Sequence, residues 1–538
     1  MKLNAAILAH AVEVGATATP DRLVLTFDYP DHVEPLTYAD LLRGGQILAL
    51  LLADAGVRPG ERFGIMMRNH PEFVYALVAA SLARTVAVPL DPRTPSAQLR
   101  YMITHSDARA VVCTNDLVPA LSEALTGAAS VPLLTSRVAC GAKLASSVVE
   151  IDSVLFDTPP RPVTQQVSDP HAPWQIMYTS GATGDPKGVV CENSRFGFHA
   201  MLGRALFNYG DDEVLYTGLS LAAGNAQAVT FASAVARGLP AVISERFTTS
   251  RLWDICRRHG CTTVSLVGGM ATALYAEPPR TDDAANPVRV VVSTGMPRAL
   301  WEDFERRFAV RILEWYGAVD GGVAFKPIGV GPIGSFGKPL PGMEMQIVDE
   351  QDRECPPGVV GELLWRNASL PTVGEYLDDP HVSGAKALGG WIRSADLCHR
   401  DADGWLFFDR RKGGGLRHNG DVVLPDSIER AAIEIPTVRE ACCYGVPARS
   451  GTLGENDIVL AVVLAPGASA DPDVIFRHLA RQLKPNFVPD YLHVVPEIPK
   501  TLPEAPQARL LAETFDPEAP NVCGRVPSLA ATGDFHGA

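Results

Sequence analysis

The sequence predicts an α/β fold: a large N-terminal domain of stacked α/β sheets with a small β-rich subdomain, a hinge, and a small mobile α/β C-terminal domain. Three observations lead to this prediction. Over residues 20–330, short apolar strands alternate with amphipathic helices, which is typical of α/β sheets. Over residues 330–408, glycine and proline become dense and strands short, which indicates the β-rich subdomain. The run Gly413–Gly415 indicates the hinge, because glycine weakens regular elements.

Hydrophobic periodicity locates the individual elements, since apolar residues at helical spacing predict helices and short β-rich runs predict strands. Along the large domain we expect strand Leu23–Phe27, helix Tyr38–Ala55 ending at Gly56, strand Phe63–Met66, helix Pro71–Ala83, strand Val86–Leu90, helix Ser96–His105 and strands Ala110–Cys113, Thr262–Val267 and Val288–Ser293. The β-rich subdomain and the small domain add strands Glu344–Val348, Gly361–Arg366, Glu440–Tyr444 and Ile458–Leu464, a helix from Asp426 and a helix at Asp473–Leu483.

The same patterns place the domain boundaries. We expect residues 1–408 to form the large domain, 409–415 the hinge, 416–512 the small domain and 513–538 a tail. The tail shows little periodicity, and chain ends without a packed element are commonly loose.

Composition places the chain among ordinary globular proteins. Hydrophobic residues make up 46% and charged residues 20% of the 538 residues, which excludes a mainly disordered chain. The net charge of −14 argues against nucleic-acid and anionic-membrane partners, because both need a basic face. No apolar run reaches the roughly 18 residues that a membrane-spanning helix needs.

Cysteine usage and the N-terminal segment predict a cytoplasmic location. The ten cysteines include no Cys-x-x-Cys pair, and Cys442 and Cys443 lie in an apolar run that is typical of buried thiols. The N-terminal apolar stretch is interrupted by His10 and Glu13, so it predicts no signal peptide. Thiols of this kind fit a reducing compartment.

The segment Tyr178–Val189 predicts a phosphate-binding loop. It reads Tyr-Thr-Ser-Gly-Ala-Thr-Gly-Asp-Pro-Lys-Gly-Val, in which hydroxyls and glycines alternate before a lysine. Glycines let backbone N–H groups approach a phosphate, hydroxyls add donors, and the lysine adds positive charge. The candidate nucleotide-binding residues in this segment are Thr179, Ser180, Gly181, Thr183 and Lys187.

This segment resembles the phosphate loop of the adenylate-forming superfamily, which includes acyl-CoA synthetases, luciferases and peptide-synthetase adenylation domains. Two further motifs follow in that family's order. Tyr316–Asp320 is similar to its Tyr-Gly-x-Thr-Glu motif, which implies that Tyr316 stacks on adenine and that Gly317 and Asp320 belong to the nucleotide site. Gly390–Asp396 is similar to Gly-Trp-x-x-Thr-Gly-Asp, which implies that Asp396 binds the ribose hydroxyls.

The resemblance continues through the second part of the chain and covers residues 10–512. Asp409–Lys412 is similar to the family's hinge, which implies that Lys412 lies at the rotation point and Arg410 at the nucleotide. Gly420 and Pro425–Glu429 are similar to the loop that meets the pantetheine arm of CoA. These motifs imply CoA and AMP as ligands, and two steps: an acid reacts with ATP to give an acyl-adenylate, and a thiol then displaces AMP.

The final family motif departs from its pattern at the residue that serves adenylation. The pattern is Pro-Lys-Thr-x-x-Gly-Lys, whereas the chain reads Pro-Lys-Thr-Leu-Pro-Glu-Ala from Pro499, so that Glu504 replaces the glycine and Ala505 the catalytic lysine. A group aimed at developing charge is worth about 10²–10³ in rate. The departure therefore implies that adenylation is lost and that the protein forms thioesters from a preformed acyl-adenylate.

Three other departures weaken the handling of ATP. Val319 replaces a threonine, Asp320 replaces a glutamate, and Asp185 places negative charge in the phosphate loop. We therefore expect ATP and magnesium to be needed only if adenylation survives, and we predict no metal site.

The acyl pocket is expected to be roomy. Ala222 and Ala223 stand where the family has an aromatic residue and a histidine, and Gly268, Gly269 and Gly295 are further small candidates for its lining. Space of this kind fits a bulky, polycyclic acyl group, although loose packing repaired elsewhere gives the same pattern. In the missing lysine and the small pocket residues, the chain resembles the non-adenylating acyl-CoA ligases of platensimycin-type diterpenoid antibiotic biosynthesis.

The residues leave three hypotheses open. The first is a thioester-forming enzyme that receives its acyl-adenylate from a separate adenylating enzyme. The second is a complete ATP-dependent acyl-CoA ligase that uses a substitute cation. The third is a non-catalytic protein that binds AMP or an acyl-adenylate. The resemblance also leaves a homodimer open.

Overall fold

The computed structural model describes residues 6–94, 96–127, 131–138, 148–152, 163, 168–179, 186–298, 300–367, 376–377, 387–388, 390–411, 415–419, 421–450, 455–465, 467–499 and 508–525. These residues form two compact units. The first contains the described residues up to Ser394 together with His399–Phe407, and the second contains Ala395–Cys398 and the described residues from Phe408 onward. The predicted fold class, a large N-terminal α/β domain and a small C-terminal domain, is confirmed.

Helices lie throughout both units. They are α1 (Leu8–Ala18), α2 (Tyr38–Asp54), α3 (Pro71–Ala83), α4 (Ser96–His105), α5 (Val118–Ala124), α6 (Ser194–Ala205), α7 (Ala232–Arg237), α8 (Leu252–His259), α9 (Gly268–Ala276), α10 (Trp301–Phe308), α11 (Pro425–Ile433), α12 (Pro472–Gln482) and α13 (Ala508–Glu513). Short 3₁₀ turns are present at Asn115–Leu117 and Pro485–Phe487, and Ala226–Phe231 forms a π-helix. None of the helices in the described parts of the chain is long and apolar enough to cross a membrane.

A nine-stranded sheet forms one layer of the first unit. Its strands are β1 (Leu23–Asp28), β2 (Val33–Thr37), β10 (Leu215–Thr217), β11 (Ala241–Ser244), β12 (Thr263–Val267), β13 (Val290–Thr294), β14 (Arg311–Gly317), β15 (Val323–Lys326) and β16 (Lys338–Pro339). Their order across the sheet is β16-β15-β14-β13-β12-β10-β11-β1-β2. Strands β1, β10, β11, β12, β13 and β14 run parallel, and the other three add antiparallel edges.

A second sheet has seven strands: β3 (Arg62–Met66), β4 (Val86–Leu90), β5 (Ala108–Thr114), β6 (Leu133–Ser136), β7 (Val148–Glu150), β8 (Pro173–Thr179) and β9 (Lys187–Glu192). Their order across the sheet is β7-β6-β5-β3-β4-β8-β9. Strands β8 and β9 pair antiparallel, and Thr179 lies opposite Lys187. The two ends of the predicted phosphate loop are therefore held side by side at the edge of this sheet.

Local sequence explains how helices α2 and α3 begin and how they pack against each other. Helix α2 begins with a capping box, in which Asp40 N–H donates to the Thr37 hydroxyl (3.2 Å) and Thr37 N–H donates to the Asp40 carboxylate (2.9 Å). Gly44 lets α2 approach α3, because a Cβ there would lie 2.4 Å from the ring of Tyr75. Pro71 begins α3, where its missing N–H costs nothing.

The β-rich subdomain is present where the sequence predicts it. It is a five-stranded sheet of β17 (Met343–Val348), β18 (Gly361–Asn367), β19 (Ala387–Leu388), β20 (Trp391–Arg400) and β21 (Leu406–Arg411). The order is β17-β18-β20-β19, and β21 pairs with β20.

The second unit has its own core. Its strands are β22 (Leu416–His418), β23 (Asp421–Val423), β24 (Val438–Pro447), β25 (Asn456–Leu464), β26 (Tyr491–Val494) and β27 (Val522–Gly524). Helices α11 and α12 pack Ile428, Phe476 and Leu479 against one face of the β24-β25-β26-β27 sheet. Cys442 and Cys443 are buried thiols on β24, as predicted.

The prediction of a loose tail from residue 513 is wrong for its first part. Strand β27 pairs antiparallel with Tyr491–His493 and completes the sheet. Three residues are too few to show a period, so this edge strand left no signal in the sequence.

The burial of His70 predicts a pH dependence of stability. His70 lies before α3, its Nδ1 is 2.8 Å from the Tyr29 hydroxyl, and burial lowers its pKa to about 3, with the charge of Arg137 acting in the same direction. The unfolded chain, with a histidine pKa near 6.5, binds the extra proton between these values, so stability falls as the pH falls from about 6.5 towards 3, by up to about 1.4 kcal/mol per pH unit.

Replacement of His70 with glutamine removes this titration. Between pH 7.5 and pH 5 the midpoint temperature of thermal unfolding should fall less in the variant than in the wild type. If the midpoint fell equally with pH in the two proteins, the role given to His70 would be contradicted.

Candidate active site

The predicted acyl and adenine residues converge at one edge of the nine-stranded sheet. Strands β10, β12, β13 and β14 are adjacent and parallel, so their carboxyl ends meet at the same edge. In open α/β sheets this edge is where ligands bind. The segment after β10 carries Ala222 and Ala223, α9 begins with Gly268 and Gly269 directly after β12, Gly295 follows β13, and Tyr316 and Gly317 end β14.

Tyr316 presents an aromatic ring at this edge. The ring is partly buried and its centroid lies 5.0 Å from that of Phe336, at an interplanar angle of 32°. A fixed aromatic ring of this kind is a suitable platform for a base. The next residue must be small, because a Cβ at Gly317 would lie 2.4 Å from the ring of Trp315.

Asp320 is held by a residue that the sequence motifs did not indicate. The hydroxyl of the buried Tyr376 donates a hydrogen bond of 3.0 Å to Oδ2 of Asp320. Val319, the residue before it, packs on the apolar cluster of Met177, Val189 and Tyr376. The loop after β14 is therefore fixed against strands β8 and β9.

Of the remaining residues predicted to bind the nucleotide, four lie among the described residues: Thr179, Lys187, Asp396 and Arg410. Lys187 begins β9, and Thr179 ends β8. Asp396 lies on β20 and is buried, and Arg410 lies on β21. Ala395, which stands where the family has glycine, has a φ of 60°, so the backbone next to Asp396 adopts a conformation that favours glycine.

Several predicted residues lie outside the described residues. These are Ser180, Gly181, Thr183 and Asp185 of the phosphate loop, Lys412 and Gly420, and Lys500, Glu504 and Ala505 of the final motif. Their roles stay predictions from the sequence.

The segment after β10 has a polar side that its small residues did not predict. Ser265 Oγ donates to Asn225 Oδ1 (2.7 Å), and Asn225 Nδ2 donates to Thr294 Oγ1 (3.1 Å). The buried π-helix Ala226–Phe231 follows directly, and such helices are frequent at functional sites. The expected acyl pocket thus combines two alanines with a hydrogen-bonded polar chain.

Arg195 is a cation at this edge that belongs to none of the predicted motifs. It lies in the first turn of α6, and its Nη1 donates to the backbone oxygen of Val319 (2.6 Å). A Cβ at Gly224 would lie 3.6 Å from its Nη2. The guanidinium therefore binds the loop after β14, 124 residues further along the chain, and lies next to the segment that carries Ala222 and Ala223.

Glu314 positions the loop that contains Gly295. Its buried carboxylate accepts the backbone N–H groups of Gly295 and Met296, the latter at 3.2 Å. Gly295 has a φ of 82°, in the left-handed region that favours glycine. Glu314 belongs to none of the predicted motifs, although a charged residue within the apolar run Ile312–Trp315 is a signal for such a role.

Replacement of Glu314 with alanine is expected to destabilise the first unit. Two N–H groups lose their acceptor, and each unsatisfied buried donor costs about 1–3 kcal/mol. Thermal unfolding checks the result, with Glu302→Ala on the exposed face of α10 as the control. Equal shifts in the two variants would contradict the positioning role.

Comparison with known proteins gives the family. Residues 12–372 match the AMP-binding enzyme family, and residues 427–503 match the AMP-binding enzyme C-terminal domain. The medium/long-chain-fatty-acid–CoA ligase FadD17 of Mycobacterium marinum is 31% identical over 472 residues, which cover 86% of this chain and 89% of that protein. The sulfoacetate–CoA ligase of Cupriavidus necator is 30% identical over 505 residues, which cover 92% of this chain and 95% of that protein.

Solved structures show the same fold. An amide bond synthetase from Marinactinospora thermotolerans superposes with a TM-score of 0.79 at 22% identity, and covers 95% of this chain and 99% of its own. An o-succinylbenzoate CoA synthetase variant from Bacillus subtilis superposes with a TM-score of 0.78 at 21% identity, covering 94% and 98%. This chain is therefore a member of the AMP-binding enzymes, the adenylate-forming superfamily, and belongs to their acyl-CoA ligase family.

Proposed function

We propose that this protein converts a preformed acyl-adenylate and CoA to acyl-CoA and AMP, and that it has lost the adenylation step. The observation that carries this proposal is Ala505, which stands where the family's catalytic lysine belongs. The nucleotide residues Tyr316, Gly317, Asp396 and Arg410 are retained. A chain that decayed at random would have lost both halves of the site.

The retained step needs less from the protein than adenylation does. The sulfur of CoA attacks the acyl carbonyl carbon, a carbon–sulfur bond forms, and the bond from that carbon to the phosphate oxygen breaks. AMP leaves with the electron pair, and the thiol proton goes to solvent. Because the adenylate is already a reactive mixed anhydride, the main contribution of the protein is to position the sulfur beside the carbonyl.

The residues divide by the part of the ligands that they would hold. The ring of Tyr316 would stack on adenine, Asp396 would accept the ribose hydroxyls, and Lys187 with the phosphate loop would hold the phosphate. Gly420 would let the pantetheine arm approach the backbone, and Lys412 would be the point about which the small domain, residues 416–512, rotates relative to residues 1–408. In this proposal 409–415 is the hinge.

Magnesium has no part in the proposed step. Asp320 is one methylene shorter than the family's glutamate, and its Oδ2 already accepts a hydrogen bond from Tyr376. These observations do not fit a strong magnesium ligand, since the family motif relies on the longer carboxylate. ATP and magnesium enter only in the second candidate function below.

The proposed substrate is a bulky carboxylic acid, carried as its adenylate. The support is the replacement of gating side chains by Ala222 and Ala223, together with Gly268, Gly269 and Gly295. A separate adenylating enzyme would supply the adenylate, in a cytoplasmic pathway of the platensimycin type that makes natural products. The protein would act alone or as a homodimer.

A complete ATP-dependent acyl-CoA ligase is the second candidate function, and the names of the two curated relatives favour it. Acid-dependent exchange of labelled pyrophosphate into ATP separates the two candidates. The first predicts no exchange above background with any acid that the protein accepts as an adenylate. Exchange at the rate of an ordinary ligase would establish the second.

A further inference from the structure

We infer that Arg195 binds an acidic group on the acyl part of the ligand, so that the acid handled by this protein carries a second carboxylate. The inference rests on the proposed function, because it assigns one side of the same acyl site. It follows from the position, the bonding and the electrostatic surroundings of one guanidinium.

The position of Arg195 directs it to the acyl segment. Its Nη1 is anchored on the Val319 oxygen, and its Nη2 lies beside Gly224, which follows Ala223 directly. The space that a side chain at Gly224 would fill lies 3.6 Å from Nη2 and 3.7 Å from Met177 Cε. A glycine here leaves the guanidinium facing the segment in which the family's large gating side chains are missing.

The bonding of Arg195 is incomplete. A guanidinium has five N–H donors in a planar fork that matches a carboxylate. The Val319 oxygen takes one of them, and the side chain also lies beside the thiol of Cys191, but the buried Nε has no oxygen or nitrogen acceptor among the described residues. Nη2 faces the space beside Gly224, so it is the part of the guanidinium that a ligand carboxylate can reach.

The surroundings of Arg195 also favour an anion. The first turn of a helix is the positive end of its dipole, where a cation is disfavoured and an anion is stabilised. His199, one turn later on α6, is buried, and burial together with the charge of Arg195 holds its pKa well below the ordinary value. Within the described residues no carboxylate forms an ion pair with Arg195. Among the described residues, therefore, no carboxylate neutralises this charge.

The acyl group is a better source of the anion than the phosphate of the adenylate. Lys187 lies opposite Thr179 where strands β8 and β9 pair, whereas Nη2 of Arg195 neighbours Gly224. Asn225, which follows Gly224, adds a polar side chain to this segment, and it is held by hydrogen bonds to Ser265 on β12 and Thr294 on β13.

A pair of non-hydrolysable acyl-sulfamoyl adenosines tests this inference by calorimetry on the full-length protein. Both analogues carry the same aromatic acyl group, one ending in a free carboxylate and the other in its methyl ester, and the pair is made with several spacer lengths. We expect the wild type to bind the best carboxylate analogue about 10- to 100-fold more tightly than its ester, the factor for a hydrogen bond to a charged group.

Arg195→Met should remove that difference, because only the carboxylate analogue loses an ion pair. Arg204→Met is the matched control, because Arg204 is an exposed arginine on the same helix. Arg195→Met also removes the bond to the Val319 oxygen, and any weakening from that loss should be equal for the carboxylate, the ester and AMP. A variant that still binds the carboxylate analogue more tightly than its ester would overturn the inference. Equal binding of carboxylates and esters by the wild type would also overturn it.

Thioester formation is measured separately with synthetic adenylates and CoA. Normal thioester formation together with equal binding of the carboxylate and ester analogues would contradict this inference alone. Tighter binding of the carboxylate analogue without thioester formation would contradict only the proposed function.

Discussion

Replacing Ala505 with lysine and Glu504 with glycine is expected to give the protein acid-dependent exchange of pyrophosphate into ATP. The double substitution restores the family's final motif, Pro-Lys-Thr-x-x-Gly-Lys. A lysine beside the reacting carboxylate and phosphate stabilises the charge that develops during adenylation, and such a group is worth about 10²–10³ in rate. The gain should be read by exchange of labelled pyrophosphate with an acid identified from its adenylate.

The matched control is Ala505→Gln with Glu504→Gly, which adds a long side chain without charge. It should show no exchange, and thioester formation from the synthetic adenylate should change little in either variant. Exchange in the unmodified protein at the level of the lysine variant would contradict the role given to Ala505. An absence of gain in the lysine variant would also contradict it.

Asp28→Asn should be among the most destabilising single substitutions in the first unit. Asp28 is fully buried at the end of β1, and its carboxylate contacts Arg251 (2.7 Å), Arg258 (2.9 Å) and His259 (2.8 Å). Removing one partner of a buried ion pair costs about 3–5 kcal/mol. Because the side chains of Arg251 and Arg258 are 25% and 51% exposed, water replaces part of the lost interaction and the loss should lie at the lower end of this range. The expected result is a clear drop in the midpoint of the transition that unfolds the first unit.

Asp254→Asn provides the control for this prediction. Asp254 lies on α8 and pairs with Arg257 at 2.7 Å, but its side chain is 50% exposed. Exposed pairs are worth about 0–1 kcal/mol, so the midpoint should hardly move. If both variants unfolded at the same temperature, the network around Asp28 would not have the stabilising role assigned to it.

The fold could be predicted because most of its helices and strands show a local periodicity of apolar residues. The predicted helices Pro71–Ala83 and Ser96–His105 and the strand Val86–Leu90 have the bounds that the structure gives them. The π-helix Ala226–Phe231 could not be found, because a fully buried helix shows no polar face and its wider turn leaves no spacing signal. Strand β27 was missed because it has three residues.

The candidate site could be predicted only where a motif holds its residues close in sequence. Tyr316, Gly317 and Asp320 lie within five residues of one another, and the structure places them together. Arg195 and Tyr376 are different, because each acts on the loop after β14 from a distant segment, and Arg195 is 124 residues away from its partner. Contacts of this kind depend on tertiary packing, which a single sequence does not encode as a local pattern.

The central claim is that the protein makes thioesters without making adenylates, and two parallel reactions followed by mass spectrometry test it most directly. One reaction contains the protein, CoA, ATP, magnesium and a panel of bulky acids with and without a second carboxylate. The other contains the protein, CoA and the synthetic adenylates of the same acids, without ATP. We predict acyl-CoA in the second reaction alone. Acyl-CoA in both reactions, or in neither, would contradict the claim.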